Sequence, residues 1–157
     1  MHAQETFKKM SLFAGLSDQE LDQVAAIAES KTYPAGTQIY QEGDVDASLF
    51  IVQTGLVKID KRVNFDQQQT LEQLRPGVFF GEISFVLGGA HIATAEALEP
   101  SEILQIRRSE FDKLARSNQA LAYRIMVRMA MQLANLLKEM DEKFIELVSY
   151  IWGRSKK

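Results

Sequence analysis

The chain has 157 residues, of which 46% are apolar, enough for one domain with an ordinary hydrophobic core. It holds no cysteine and two histidines, which excludes disulfides, thiolate catalysis, Cys-ligated metals and a histidine-rich metal site. A net charge of −3 argues against a general electrostatic pull toward nucleic acid.

Residues 1–30 read as helical. Met1-His2-Ala3-Gln4-Glu5 is polar and unlike a secretory signal. Ser17-Asp18-Gln19-Glu20 has the form of a capping box, a serine for a backbone N–H and a glutamate reaching back. Leu21, Val24, Ala25 and Ile27 then supply the apolar stripe of a short helix.

Between residues 30 and 108 the period shortens to that of strands. Val57 and Ile59 alternate with Lys58 and Asp60, and Leu104 and Ile106 with Gln105 and Arg107. Turn signals divide the segment at Pro34-Ala35-Gly36, Glu42-Gly43-Asp44, Thr54-Gly55, Pro76-Gly77 and Gly88-Gly89. Many short strands with glycine corners predict a compact antiparallel barrel or roll. The polar run Asn64 to Gln69 reads as an exposed hairpin tip.

Within this segment, residues 80–94 read as a glycine-hinged loop, one short helical turn and then a strand. Gly81 permits a tight turn, and residues 82–86 offer N–H groups at a helix start, which suits an anion. Glu82 adds a carboxylate able to accept hydrogen bonds from sugar hydroxyls, or simply to cap the helix. No Arg or Lys stands in the stretch to neutralise a phosphate.

The helical period returns at Ser109, where Ser109-Glu110-Phe111-Asp112 resembles a capped start, with a second one at Ser117-Asn118. From there to Trp152 neither Gly nor Pro interrupts, which predicts a helix about 50 Å long. Met126, Met129, Leu133, Leu137, Met140, Phe144, Leu147 and Ile151 follow steps of three and four, with a stutter at Leu133. Part of so long a helix needs a partner beyond the roll, so this row is the expected dimer seam. Gly153 is the expected helix end, followed by the basic Arg154, Lys156 and Lys157. The window 119–137 contains Arg124 and Arg128, which rules it out as a membrane span. The expected division is residues 1–117 as helical lead-in plus roll and 118–157 as the long helix with its tail.

Tyr33-Pro34-Ala35-Gly36, Gln41-Glu42-Gly43-Asp44, Leu49 to Ile59 with Thr54-Gly55 at its centre, and Leu74-Arg75-Pro76-Gly77 before Phe80-Gly81-Glu82 together resemble the cyclic nucleotide-binding domain family. The resemblance spans about residues 10–140. It implies an α+β fold: an antiparallel β-roll of about eight strands, N-terminal helices and a long C-terminal helix. In the catabolite activator branch that helix forms a two-fold dimer interface. The stretch 80–94 corresponds to the family's phosphate-binding cassette. Gly81 matches the glycine that lets the backbone approach the ligand, and Glu82 the glutamate expected on the ribose 2′-hydroxyl. Ile83 and Ser84 match positions that supply backbone N–H groups to the cyclic phosphate. The family pattern of Pro-Arg followed by Ala or Ser is here Ala90-His91-Ile92. His91 therefore replaces the arginine that clamps the phosphate, and Ile92 carries no hydroxyl.

From these residues the expectation is a non-enzymatic, cytoplasmic, dimeric regulatory module with a degenerate cassette, signalling through contacts with an unidentified protein partner. A cyclic nucleotide or another small anion is the expected ligand class. His91 stands as a pH-sensitive phosphate ligand or as a pocket-edge residue with no task, and Arg124 and Arg128 as replacement cations or as solvated helix charges. The alternative is a working cyclic AMP or cyclic GMP receptor subunit with a non-standard phosphate ligand. Family transcription factors continue into a helix-turn-helix domain, whereas this sequence ends at Lys157, so DNA binding by this chain is not expected.

Overall fold

Eight strands in two antiparallel sheets carry the molecule's centre in the computed structural model, which describes residues 2–64 and 67–154. Three helical pieces lead in: α1 (His2–Lys8), a 3-10 turn (Ser11–Phe13) and α2 (Asp18–Ala26). The capping box at α2 is formed, with the Ser17 hydroxyl accepting from the Glu20 N–H at 3.3 Å and the Glu20 carboxylate accepting from the Ser17 N–H at 2.8 Å. The helical stretch stops at Ala26 and not at residue 30, because Ala28–Tyr33 is claimed as β1 by pairing along β8.

The strands follow as β2 (Gln38–Tyr40), β3 (Ser48–Thr54), β4 (Val57–Asn64), β5 (Gln67–Leu74) and β6 (Phe79–Phe80). Helix α3 (Glu82–Leu87) precedes β7 (Thr94–Ala97) and β8 (Ser101–Arg107). One sheet runs β1-β8-β3-β6 and the other β2-β7-β4-β5. The β4–β5 ribbon pairs Asn64 with Gln67, so the polar tip is narrower than residues 64–69, and Gln67 to Gln69 belong to an exposed strand.

β3 shows why the fold needs two cores. Its first six residues are all buried. Side chains alternate across a strand, so Leu49 and Ile51 face one way and Phe50 and Val52 the other. Leu49 and Ile51 join Leu104, Ile106 and the helices in an outer core, with Phe7, Phe13, Leu21, Val24 and Phe111. Phe50 and Val52 join Tyr40, Val57, Leu74, Phe80, Ala95 and Ile103 between the sheets. The same double cover shows in β8. Gln105, on the face opposite Leu104 and Ile106, is only 5% exposed; it pairs with Phe50 in register and donates to Ser48 Oγ at 2.9 Å.

After β8 come α4 (Arg108–Ser117) and α5 (Gln119–Arg154). Ser109 does not cap α4: the N-cap is Arg107, with no side-chain hydrogen bond, because the strand runs straight into the helix. Asn118 does cap α5, accepting from the Leu121 N–H at 3.1 Å. Gly153 lies inside α5, which runs on to Arg154; Lys156 and Lys157 of the basic tail lie outside the described residues. Along α5, Leu121, Ile125 and Met129 are buried in the outer core, and Met126 and Leu133 pack against it. Met129, placed on the expected dimer seam, is 1% exposed within this chain, so its side chain serves its own core. Beyond Leu133 the apolar row emerges into solvent, with Leu137 59% and Phe144 65% exposed.

Candidate functional site

A cavity of about 520 Å³ opens between the roll and α5. Its inner wall is aromatic. The Tyr40 and His91 rings stack at 3.6 Å between centroids with planes 8° apart, and Tyr40 also lies 5.2 Å from Phe50 and 6.0 Å from Phe80. Ile59, Leu74 and Leu133 make its wall apolar, and Gln132, Leu136 and Glu139 bring α5 to its rim.

The segment 80–94 frames one side. Gly81 adopts φ 76°, a left-handed conformation, as the N-cap of α3. A Cβ there would meet Phe50 Cδ2 at 2.9 Å and the Ser48 carbonyl oxygen at 3.0 Å, so the backbone passes where a side chain has no room. The Phe85 N–H returns to the Gly81 carbonyl at 3.0 Å, closing the first turn. The N–H groups of Glu82, Ile83 and Ser84 precede that bond, as in any first helical turn. The Glu82 carboxylate accepts from its own N–H. Arg108 steadies the far end of α3 by donating to the Phe85 carbonyl at 2.9 Å.

The expected site residues fall into three groups. Gly81, Glu82, Ile83, Ser84, His91 and Ile92 all line the cavity. Within this group the side chains differ in role. Ser84 is buried and its hydroxyl donates to the Asp46 carbonyl at 3.0 Å, so it fastens α3 to the loop before β3. Ile92 is half exposed. His91 is 4% exposed, which sets aside the pocket-edge reading: its ring is a structural part of the wall. Its backbone is held on both sides, the N–H donating to the Asp44 carbonyl and the C=O accepting from the Gly43 N–H, each at 2.8 Å.

Arg124 and Arg128 form the second group, and neither lines the cavity. Arg124 is ion-paired with Glu20 of α2. The first turns of α5 lie along the lead-in helices, and the helix reaches the cavity only from Gln132 onward. The third group was not read from the sequence: Tyr40, Glu72, Gln132, Leu136 and Glu139. On α5 the positions 132, 133, 136 and 139 share one helical face, a periodic signal hidden beneath the longer apolar row. Tyr40 is 51 positions from His91 and only the fold brings the two rings together.

The electrostatics run against an anion. No Lys or Arg is among the lining residues, whereas Glu72, Glu82 and Glu139 are. Burial holds the Glu82 carboxyl above the ordinary carboxylate range, and the Glu72 carboxylate pushes it further the same way. Burial lowers the His91 pKa below the usual 6.5, against the pull of Asp46 and Asp44, which favours the neutral ring. Lys61 reaches the Ile92 carbonyl at the rim, but its ammonium is already engaged by Glu42.

Comparison with known proteins agrees with this architecture. The sequence model of the family described as "Cyclic nucleotide-binding domain" matches residues 30–118. A Cyclic AMP receptor protein of Thermus thermophilus is 32% identical over 149 residues, covering 95% of this chain and 67% of that protein. Among solved structures, the Thermus thermophilus Catabolite Activator Protein superposes with a TM-score of 0.79 at 31% identity, over 89% of this chain and 63% of the other. A cyclic nucleotide-binding domain from Methylobacillus flagellatus superposes with a TM-score of 0.81 over 92% and 82%, and at 22% identity this speaks for the fold. The chain thus spans about two thirds of the length of its Thermus relatives.

Proposed function

The chain belongs to the cyclic nucleotide-binding domain family, and from that premise we propose that it is a non-enzymatic, cytoplasmic regulatory module that pairs through the outer half of α5 and signals by protein contacts. Its cassette keeps the backbone geometry of a nucleotide cradle but carries His91 in place of the phosphate-clamping cation. Among the described residues no helix is long and apolar enough to cross a membrane.

The observation that carries this reading is the change of period along α5. Leu121, Ile125, Met129, Leu133 and Leu137 step by four, as suits a helix lying on a globular core. Leu137, Met140, Phe144, Leu147 and Ile151 then step by three and four, the spacing of a two-helix seam. The change comes where α5 leaves its own core, and all five of these side chains are more than half exposed. Fully burying side chains of this size is worth about 1.5–3 kcal/mol each. A solvent-facing row of five would be costly in isolation and is accounted for by a second copy. Because residues 132–139 of the same helix also line the cavity, occupancy there and the geometry of the pair are linked through one rigid element.

Light scattering of the purified chain tests the pairing. The expected mass is that of a dimer, and Phe144→Glu together with Leu147→Glu is expected to give a monomer that melts as a folded protein. A monomeric wild type, or a double variant that stays dimeric, refutes it.

A further inference from the structure

The chemistry of the cavity wall runs opposite to that of a phosphate site, and this bears on which ligand it takes. Three carboxylates line it, Glu72, Glu82 and Glu139, with no Lys or Arg among the lining residues. Two atoms of lining residues are buried without a hydrogen-bond partner among the described residues, His91 Nε2 and Gln132 Oε1. Both are acceptors. The Ser84 hydroxyl proton goes to the Asp46 carbonyl, so the Ser84 oxygen receives Nδ1–H of His91 at 3.4 Å. In the neutral ring this leaves Nε2 as a bare acceptor. The Gln132 side chain gives its amide N–H to Ser11, leaving its carbonyl oxygen unmatched. Tyr40, Ser11 and Asn135 provide neutral polar groups, and Ile59, Leu74 and Leu133 provide apolar surface.

A cyclic phosphate brings a negative charge and acceptor oxygens into a wall whose side chains offer three carboxylates and two unmatched acceptors, with only neutral donors, the backbone N–H groups at the start of α3 among them, to receive it. A ligand that matches it must bring N–H donors and positive charge, on a body apolar enough to lie against Tyr40 and the aliphatic wall. We propose that the cavity binds an organic cation, a protonated amine on a ring-bearing apolar body, with its ammonium held by Glu82 and Glu72. The inference rests on the reading that the cassette lacks a phosphate clamp. Aromatic faces and carboxylates without a competing cation are the usual partners of an ammonium group.

Calorimetric titration of the full chain with tryptamine, phenethylamine, histamine and agmatine, against indole-3-acetate and cyclic AMP, tests it. At least one amine is expected to bind, and tryptamine to bind about 10-fold or more tighter than indole-3-acetate, the effect of one charged hydrogen bond. Glu82→Gln is expected to weaken the amine by about 10- to 150-fold. Glu72→Gln, at an exposed position, serves as the second variant should the first fail to fold, and a smaller loss in the same direction is expected. Absence of binding by every amine at millimolar concentration overturns the inference alone, as does indole-3-acetate binding as well as tryptamine. Tight cyclic AMP binding overturns both the inference and the reading of the cassette beneath it.

Discussion

Gly81→Ala probes the way the cassette is built into the core. At φ 76° an alanine costs about 1–2 kcal/mol for the left-handed backbone alone. Its Cβ would also stand 2.9 Å from Phe50 Cδ2 and 3.0 Å from the Ser48 carbonyl oxygen. Phe50 is buried against Tyr40, Phe80 and His91 and cannot swing aside, and Ser48 is backbone of the central strand β3. Overpacking of this kind adds about 1–3 kcal/mol. The sum centres on about 3.5 kcal/mol, which for a chain of this size lowers the melting temperature by roughly 7–14 °C. Gly77→Ala is the control: φ is 90° there, but a Cβ would meet nothing within 4 Å. That change is expected to cost only the backbone penalty of about 1–2 kcal/mol, roughly 2–8 °C. Thermal unfolding followed by circular dichroism measures both. Equal losses at the two glycines would refute the claim that Gly81 is fixed by close approach to β3.

Two further expectations concern stability. His91 has a folded pKa below its unfolded value of about 6.5, so the unfolded chain binds the proton first as pH falls. Its contribution to stability is therefore fully present above pH 6.5 and is lost as pH falls from there toward the folded value, with a slope of at most about 1.4 kcal/mol per pH unit. Glu82, with its folded pKa above 4.5, works in the opposite sense, its contribution being lost as pH rises above 4.5. Melting temperatures between pH 5.5 and 7.5 are expected to rise with pH, and His91→Gln to flatten that slope; an unchanged slope would place the titration elsewhere. At the other end of the molecule, Ser17→Ala removes one half of the capping box and is expected to cost about 1 kcal/mol in urea unfolding. A loss below a few tenths would show that the Glu20 half, which also binds Arg124, suffices to hold the start of α2.

What could be read from the sequence was what depends on near neighbours. The Ser17–Glu20 capping box, the glycine corners, the strand period and the layout of residues 80–94 are all set within a few positions, and the fold keeps each of them. What could not be read has a common cause in long-range pairing. Residues 28–30 read as helical on local pattern, and only pairing with β8, 74 to 78 positions on, makes them the start of β1. The burial of Gln105 has no local signal, since a buried polar residue reveals itself only through partners, here Ser48 and Asp46. Sequence alone leaves Arg124 open between cavity cation and helix-surface charge and Met129 between seam and core packing; the fold pairs Arg124 with Glu20 and buries Met129 in the outer core. The chemistry of the site was half legible. The resemblance alone sets His91 against the family's arginine, but its burial, its stack on Tyr40 and the carboxylates of Glu72 and Glu139 arise from four separated segments.

The most direct test of the altered cassette is the affinity for cyclic AMP of the wild-type chain beside His91→Arg, measured by calorimetry on the same day and in the same buffer. Restoring a permanent charge that can make charge-assisted hydrogen bonds to the phosphate is expected to tighten binding by about 10- to 150-fold over a weak wild type. Micromolar or tighter binding by the wild type, with no gain from the arginine, would contradict the reading that His91 leaves this cradle without a grip on phosphate.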